Sequence, residues 1–142
     1  MRTVLKAAIA LGAMTLPGAA FAETVEVVVS GVKSDKGEIR CALFASADGF
    51  PMGVAKARVV GQPARRSGVS CRFDNVAPGN YAVAVSHDLN GNKRTDANIL
   101  GIPREDWGVS KGARPSMRAP RFTEAQFKVA NDPIRIDVKV AR

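Results

Sequence analysis

The residues of this chain that could do chemistry are concentrated between His87 and Ser110. Side-chain oxygens recur there at short intervals, from Asp88, Asn90, Asn92 and Asp96. Ca²⁺ takes six to eight such oxygens from carboxylates, amides, backbone and water. The spacing matches the first, third, fifth and ninth positions of an EF-hand loop, but Lys93 and Ile99 stand where that loop needs Gly and Glu. The pattern therefore predicts a Ca²⁺ site of a non-EF-hand kind, with these four side chains as ligands.

The same side chains also predict a loop that needs no cation. Asp and Asn bond backbone N–H groups two residues on and tolerate left-handed geometry. Such bonds would satisfy backbone groups that no sheet ladder reaches. Four neighbours are candidates for structuring the loop or for binding: His87, Asn98, Glu105 and Trp107. The cation site and the self-bonded loop remain alternatives at this point.

Catalytic chemistry is less well supported by the sequence. Ser86, His87 and Asp88 are consecutive, and neighbouring strand residues point to opposite faces, so they do not form a triad. His87 is the only His, which excludes a His-rich zinc site. A carboxylate pair such as Asp96 with Glu105 leaves open a small hydrolase of cell-envelope carbohydrate or peptide. We assign no catalytic residue and expect a protein that is not an enzyme.

The elements that must position this stretch are short strands. Tyr81 to Val85 alternates large and small apolar residues and leads directly into the polar residues. The last segment, residues 134–140, alternates apolar and charged side chains in the same way. Seven such strands, separated by turn signals, predict an all-β antiparallel β-sandwich. A strand that ends in a long polar loop indicates a rigid platform that presents the loop.

The first 22 residues are predicted to be a signal peptide. Arg2 and Lys6 flank a short apolar run, and Ala20-Phe21-Ala22 fits a small-x-small cleavage site. The run is shorter than the about 20 residues that span a bilayer. We therefore expect cleavage after Ala22, a periplasmic or secreted protein without a transmembrane segment, and a single domain over residues 23–142.

The chain is basic, with 21 Lys and Arg against 13 Asp and Glu and a net charge of +8. The signal peptide carries two of the basic residues, which leaves 19 basic and 13 acidic residues and a net charge of +6. Export and few aromatic residues exclude a nucleic-acid partner, because single-strand binding uses aromatic platforms. We interpret the charge as solubilising. The partner stays open, as a cell-envelope component or another protein, and Ca²⁺ is the one cofactor considered.

Two cysteines, Cys41 and Cys71, remain after the predicted cleavage. An even number in an exported chain favours a disulfide, and both residues alternate with apolar neighbours on their strands. A bridge across about 30 residues would stabilise the fold by about 3 to 4 kcal/mol. Two unpaired buried thiols are the alternative.

Several motifs occur in a fixed order along the chain. They are Pro78-Gly-Asn-Tyr81, His87-Asp88-x-Asn90-x-Asn92, Asp96-Ala-Asn98, Gly101-Ile-Pro-x-Glu105-x-x-Gly108-x-Ser110 and Pro120-x-Phe122-x-x-Ala125-x-Phe127. With them the chain closely resembles the DUF2141 family of exported bacterial proteins. Lys93-Arg94 makes this loop more basic than the family pattern, and Trp107 stands where Tyr is common. The resemblance implies an exported, prealbumin- or transthyretin-like (Ig-like) sandwich, adds Ser110 to the candidate loop residues, and carries no activity.

These observations together predict a non-enzymatic binding or scaffolding domain that presents residues 87–110. The alternatives are the small hydrolase described above and a purely structural domain whose loop bonds only to itself.

Overall fold

The structure is a computed structural model that describes residues 21–142. Its strands are β1 (Glu23–Ser30), β2 (Glu38–Phe44), β3 (Arg58–Pro63), β4 (Val69–Val76), β5 (Gly79–Asp88), β6 (Trp107–Val109), β7 (Phe127–Val129) and β8 (Ile134–Lys139). One short helix, α1 (Phe122–Ala125), and two 3-10 turns, Val54–Lys56 and Ser110–Gly112, are the helical parts. The all-β prediction is confirmed. No helix within residues 21–142 is long and apolar enough to cross a membrane.

The predicted signal peptide lies almost entirely outside the described residues. Only Phe21 and Ala22 of it are described, and β1 begins at the following residue, Glu23. Signal peptide, cleavage and export therefore stay predictions.

The strands form two sheets. The order is β4-β1-β8 in the three-stranded sheet and β3-β2-β5-β6 in the larger one, where β7 pairs with the start of β5. Every pair is antiparallel except β1 with β8, which run parallel from Val25 opposite Ile134 to Ser30 opposite Lys139. The prediction of antiparallel pairing is confirmed for every other pair, and this one parallel pair departs from it. Parallel neighbours need a long connection, and nearly the whole described chain connects these two strands.

The main core lies between the two sheets. Alternate residues of each strand point inward, so that Val25, Val27 and Val29 of β1 are fully buried against Ile39 and Val83 of the other sheet. The predicted disulfide between Cys41 and Cys71 is confirmed; it joins β2 to β4 and thus links the two sheets, with a Cα–Cα distance of 6.4 Å. The alternative of two unpaired thiols was wrong.

Two short segments show how far local sequence determines these strands. Residues 54–56 form a 3-10 turn, and β3 starts only at Arg58. β6 was not predicted, because it is only three residues long and has Gly108 at its centre. A Cβ atom at Gly108 would collide with the carbonyl oxygen of Lys139, so glycine lets β6 pass close to the end of β8.

β5 positions the polar residues. It lies between β2 and β6 and ends at Asp88, and the chain returns as β6 with Ser86 opposite Trp107 and Ala84 opposite Val109. Residues 89–106, here called the polar loop, are therefore the connection of an antiparallel hairpin. A smaller apolar cluster covers part of the outer face of this sheet, where Phe50 packs edge-on against Phe44 and Phe122 at 5.3 and 5.9 Å between ring centroids.

Candidate functional site

Asp88 anchors the start of the polar loop to the end of β5. Its side chain is fully buried at the end of β5. One carboxylate oxygen accepts the N–H of Gly91 at 2.8 Å and the other accepts the N–H of Lys93 at 2.7 Å. Gly91 and Lys93 both adopt left-handed backbone, with φ of 73° and 61°. This conformation is uncommon for lysine, and the bond from its N–H to Asp88 helps to hold it.

Asn90, Asn92 and Asp96 form the middle of the network. The side-chain oxygen of Asn90 accepts the N–H of Asn92 at 3.1 Å, and that of Asn92 accepts the N–H of Arg94 at 2.9 Å. Both side-chain NH₂ groups donate to the carboxylate of Asp96 at 2.6 Å. The structure therefore joins three of the four predicted ligands, Asn90, Asn92 and Asp96, by hydrogen bonds to one another. The fourth, Asp88, bonds only to the backbone of the loop.

Glu105 closes the loop from its far end. It is 5% exposed, and its two oxygens accept the N–H groups of Leu89 at 3.1 Å and Asp96 at 3.3 Å. The N–H of Arg104 donates to the carbonyl of Asp96 at 2.7 Å beside it. Asn98 stabilises the tip, where its side-chain oxygen accepts N–H bonds from Leu100 at 2.9 Å and Ile102 at 3.0 Å. Glu105 and Asn98 thus structure the loop, one at its base and one at its tip.

His87 and Ser110 fix the strands around the loop. The ring of His87 is 2% exposed, and its Nε2 lies 2.7 Å from the carbonyl oxygen of Lys36 in the turn before β2, so the side chain anchors that turn and not the polar loop. The buried hydroxyl of Ser110 accepts the N–H of Val83 at 3.0 Å and donates to the carbonyl of Ala125 at 2.6 Å. It ties β5 to α1.

The hydrogen-bonding capacity of the buried polar side chains is satisfied within the protein. Every buried side-chain nitrogen or oxygen atom in the described part of the chain has a hydrogen-bond partner. Within residues 21–142, no group of three or more His, Cys, Asp or Glu side chains is placed to hold a metal ion. Of the carboxylate pair considered for hydrolysis, Glu105 is buried and accepts two backbone N–H groups, and Asp96 accepts the side-chain NH₂ groups of Asn90 and Asn92.

A cavity of about 510 Å³ lies beside the loop on the outer face of the larger sheet. Its floor is made of small side chains, Ala42, Ala84 and Ser86, with Trp107 beside them. The tip of the polar loop, residues 51–54 and residues 114–120 form its walls. Small floor residues between taller walls explain the empty volume, which falls in the range of about 300 to 1,000 Å³ that ligand sites occupy.

Basic side chains line this cavity, and sequence reasoning missed them as a group. They are Arg40, Lys93, Arg94, Arg114, Arg118 and Arg142. Of the described residues, no Asp or Glu is part of the lining. Part of the signal was present, because Arg114 and Arg118 contribute to the basic charge of the chain, which we interpreted as solubilising. Their relation to Arg40 depends on sheet pairing and is not visible in the local sequence.

Two of these arginines hold the cavity wall. The guanidinium of Arg114 lies 4.0 Å from the centroid of the Trp107 ring and donates to the carbonyl oxygens of Trp107 and Ala141. Arg118 bonds both carboxylate oxygens of Glu124, at 2.7 and 2.9 Å. These bonds, with the N–H of Arg121, lower the pKa of Glu124 to about 2. Trp107, predicted as a loop-structuring or binding residue, therefore lies beside the small floor residues of the cavity, with the guanidinium of Arg114 stacked on its ring.

Comparison with known proteins adds a family. A family model described as "uncharacterized protein conserved in bacteria (DUF2141)" matches residues 27–137, from within β1 to within β8, and this range includes the whole polar loop. No curated protein and no solved structure matches the chain.

Proposed function

The chain belongs to the DUF2141 family, whose description names no activity, and we propose that it is a non-catalytic domain that binds a ligand between the polar loop and the outer face of the larger sheet. The observation that carries the proposal is the cavity of about 510 Å³ with an apolar floor and fixed walls. Concave, mostly apolar sites with a few placed polar groups are where proteins bind small molecules.

The hydrogen bonds of the polar loop support binding by a preformed site. Asp88, Glu105 and Asn98 hold the loop from its two ends and its tip, through bonds of 2.7 to 3.3 Å. A wall that is ordered before the ligand arrives loses little conformational entropy on binding. The loop would serve as a rigid side of the cavity, in agreement with a platform that presents a loop.

The engagement of the carboxylates supports a non-catalytic role. A general acid or base must reach the proton that it transfers. Asp88 is fully buried and Glu105 is 5% exposed, and both accept backbone N–H bonds with each oxygen. Moving either group toward a substrate would break the loop. The hydrolase alternative therefore has no structural support beyond the half-buried Asp96.

The proposal includes export to the periplasm or beyond. The sequence of residues 1–22 and the disulfide between Cys41 and Cys71 support it, because disulfides persist in oxidising compartments. Cell fractionation followed by amino-terminal sequencing tests it. We expect mature protein that begins at Glu23 in the periplasm or the medium, and full-length protein in the cytosol would contradict export.

An uncharged apolar dye tests the binding site. N-phenyl-1-naphthylamine brightens on leaving water, and we expect saturable binding to the protein that lacks residues 1–22. Ala84→Phe fills the floor of the cavity and should weaken the binding at least tenfold, which corresponds to about 1.4 kcal/mol. Ala130→Phe makes the same change at an exposed site after β7 and is the matched control. Equal binding by both variants would refute the cavity as the site.

Ca²⁺ bound to the polar loop is a second candidate, and one feature favours it. Asp88 accepts the N–H groups of the fourth and sixth loop positions, and Lys93 adopts a φ of 61° where an EF-hand has glycine. A bound ion would recruit the oxygens of Asn90 and Asn92, which now accept backbone N–H groups.

Thermal unfolding separates the metal-free loop from the ion-loaded one. The melting temperature is measured in EDTA and then in millimolar Ca²⁺. A bound ion at about 100 times its Kd would add about 2.7 kcal/mol, and that gain should disappear in Asp96→Ala. An unchanged melting temperature would leave the loop as a self-bonded wall and remove the second candidate.

A further inference from the structure

The cavity carries two kinds of recognition at once. Its floor is apolar, and exposed apolar side chains stand on its walls without cover, with Met52 41%, Ile102 56% and Leu100 77% exposed. Met117 on the opposite wall is fully exposed. Exposed apolar groups that gather around one concavity mark a binding site for an apolar body.

The charged side chains that line this apolar space are all basic. Six basic side chains line it, and two of them are already paired, Arg40 with Glu38 at 3.1 Å and Arg118 with Glu124 at 2.7 Å. In the part of the chain that the structure describes, neither Lys93 nor Arg94 forms an ion pair. A concavity with one sign of charge attracts and orients ligands of the opposite sign.

The hydrogen-bond network of the loop fixes the backbone that carries those two basic side chains. The N–H of Lys93 is bonded to the buried carboxylate of Asp88 at 2.7 Å, and the N–H of Arg94 is bonded to Asn92 at 2.9 Å. Both side chains are exposed and both line the cavity. The self-bonded loop therefore positions two unpaired positive charges at the edge of an apolar cavity.

We propose that the ligand is a single-chain anionic lipid, with its acyl chain over Ala42, Ala84 and Trp107 and its carboxylate or phosphate head at Lys93 and Arg94. This inference rests on the proposed function and names the ligand class of that same cavity. The apolar floor of the cavity matches the hydrocarbon chain of such a molecule, and the basic edge matches its anionic head. A sugar would not use the apolar floor, and a neutral hydrocarbon would not use the basic edge. The headgroup source, carboxylate or phosphate, is left to the experiment.

Displacement of N-phenyl-1-naphthylamine from the protein lacking residues 1–22 tests the ligand class. The competitors are laurate, dodecyl phosphate, 1-dodecanol and dodecyltrimethylammonium, all monomeric and of equal chain length. We expect laurate or dodecyl phosphate to bind at least tenfold more tightly than the neutral and cationic molecules, and the better of the two identifies the head. Shortening the chain should weaken binding by about fourfold per methylene.

Paired variants locate the head. Lys93→Gln with Arg94→Gln should weaken the anionic ligands about fivefold, as expected for two partly exposed ion pairs, and should weaken them more than it weakens the uncharged dye. Arg135→Gln with Lys139→Gln removes the same charge from β8 in the other sheet. This control pair should change neither the binding of the anionic ligands nor the binding of the dye. An equal effect of both pairs would indicate general electrostatics and would overturn the assignment of the head.

The outcomes distinguish this inference from the proposed function. If the dye itself shows no saturable, Ala84-dependent binding, the cavity proposal fails and the lipid with it. If the dye binds but anions compete no better than dodecanol, only the lipid class is overturned. Protein that sediments with phosphatidylglycerol vesicles but ignores monomeric laurate would also overturn it, in favour of a membrane surface.

Discussion

At the scale of single residues, the polar loop shows how far composition predicts structure. The spacing of Asp88, Asn90, Asn92 and Asp96 predicted a set of oxygens that bind one cation or the backbone of the loop. In the structure these oxygens accept N–H groups of the loop. The spacing did not decide between a cation and the backbone as their partner, because an amide offers both an oxygen and an NH₂ group. In the structure both amides turn their NH₂ groups to Asp96. The N–H of Asp96 in turn donates to Glu105, which lies nine residues further along the chain.

Among the polar-loop residues, Asp88 is the one whose substitution should lower the free energy of unfolding most. Asp88→Ala removes the acceptor of two backbone N–H groups at a fully buried position, and each lost bond to a charged group costs about 1 to 3 kcal/mol. We expect the free energy of unfolding to fall by about 2 to 4 kcal/mol in urea titrations, in EDTA as well as in Ca²⁺. Asp132→Ala, at an exposed turn, is the control. A loss below about 0.5 kcal/mol would show that the network does not depend on Asp88.

Glu124 supplies the pH-dependent prediction. Its pKa is lowered from 4.5 to about 2, first by the side-chain bond to Arg118 and then by the N–H of Arg121. A carboxylate with a lowered pKa stabilises the folded state above its unfolded value, and this contribution disappears as the pH falls from about 4.5 through about 2. Carboxyl ¹³C NMR titration should place the midpoint near 2. In Arg118→Gln it should rise towards 4.5, and an unchanged midpoint would contradict the ion pair.

At the scale of elements, the predictions succeeded where a strand displays its own pattern. β5 and β8 were both predicted as strands, and in β8 the apolar residues alternate with exposed charged ones as the sequence indicated. β6 has no such pattern, because it consists of Trp107, Gly108 and Val109 and exists through pairing with β5. The parallel pairing of β8 with β1 was equally invisible, since strand direction depends on the path of the whole chain.

The disulfide between Cys41 and Cys71 is predicted to stabilise the packing of the two sheets. It connects β2 of one sheet to β4 of the other across a sequence separation of 30 residues. Cys41→Ala with Cys71→Ala should lower the free energy of unfolding by about 3 to 4 kcal/mol, because the unfolded chain gains freedom. Reductant should destabilise the wild-type protein by a similar amount and leave the double variant unchanged. A wild-type protein that is indifferent to reductant would contradict a bridge that stabilises the sandwich.

At the scale of the whole molecule, the cavity is a product of the complete fold. Its lining combines Arg40 of β2, the polar loop, residues 114–120 and Arg142, and no local window of sequence contains more than one of these parts. The charge of each part was visible in the sequence. Their common orientation toward one concavity was not, because it requires the sheet order and the return of the hairpin at β6.

The same connectivity predicts that the molecule unfolds as one unit. The first and last described strands, β1 and β8, are neighbours, and Trp107 of β6 pairs with Ala141 just beyond β8, so the end of the chain contacts both sheets. Trp107, the only tryptophan, reports on the cavity by fluorescence, whereas far-ultraviolet circular dichroism reports on all strands. In urea the two signals should give the same midpoint, because no strand keeps its partners once its neighbours leave. A fluorescence change at lower urea would mean that the hairpin of β5 and β6 opens by itself. The cavity would then be a mobile surface, without the preformed wall that lowers the entropic cost of ligand binding.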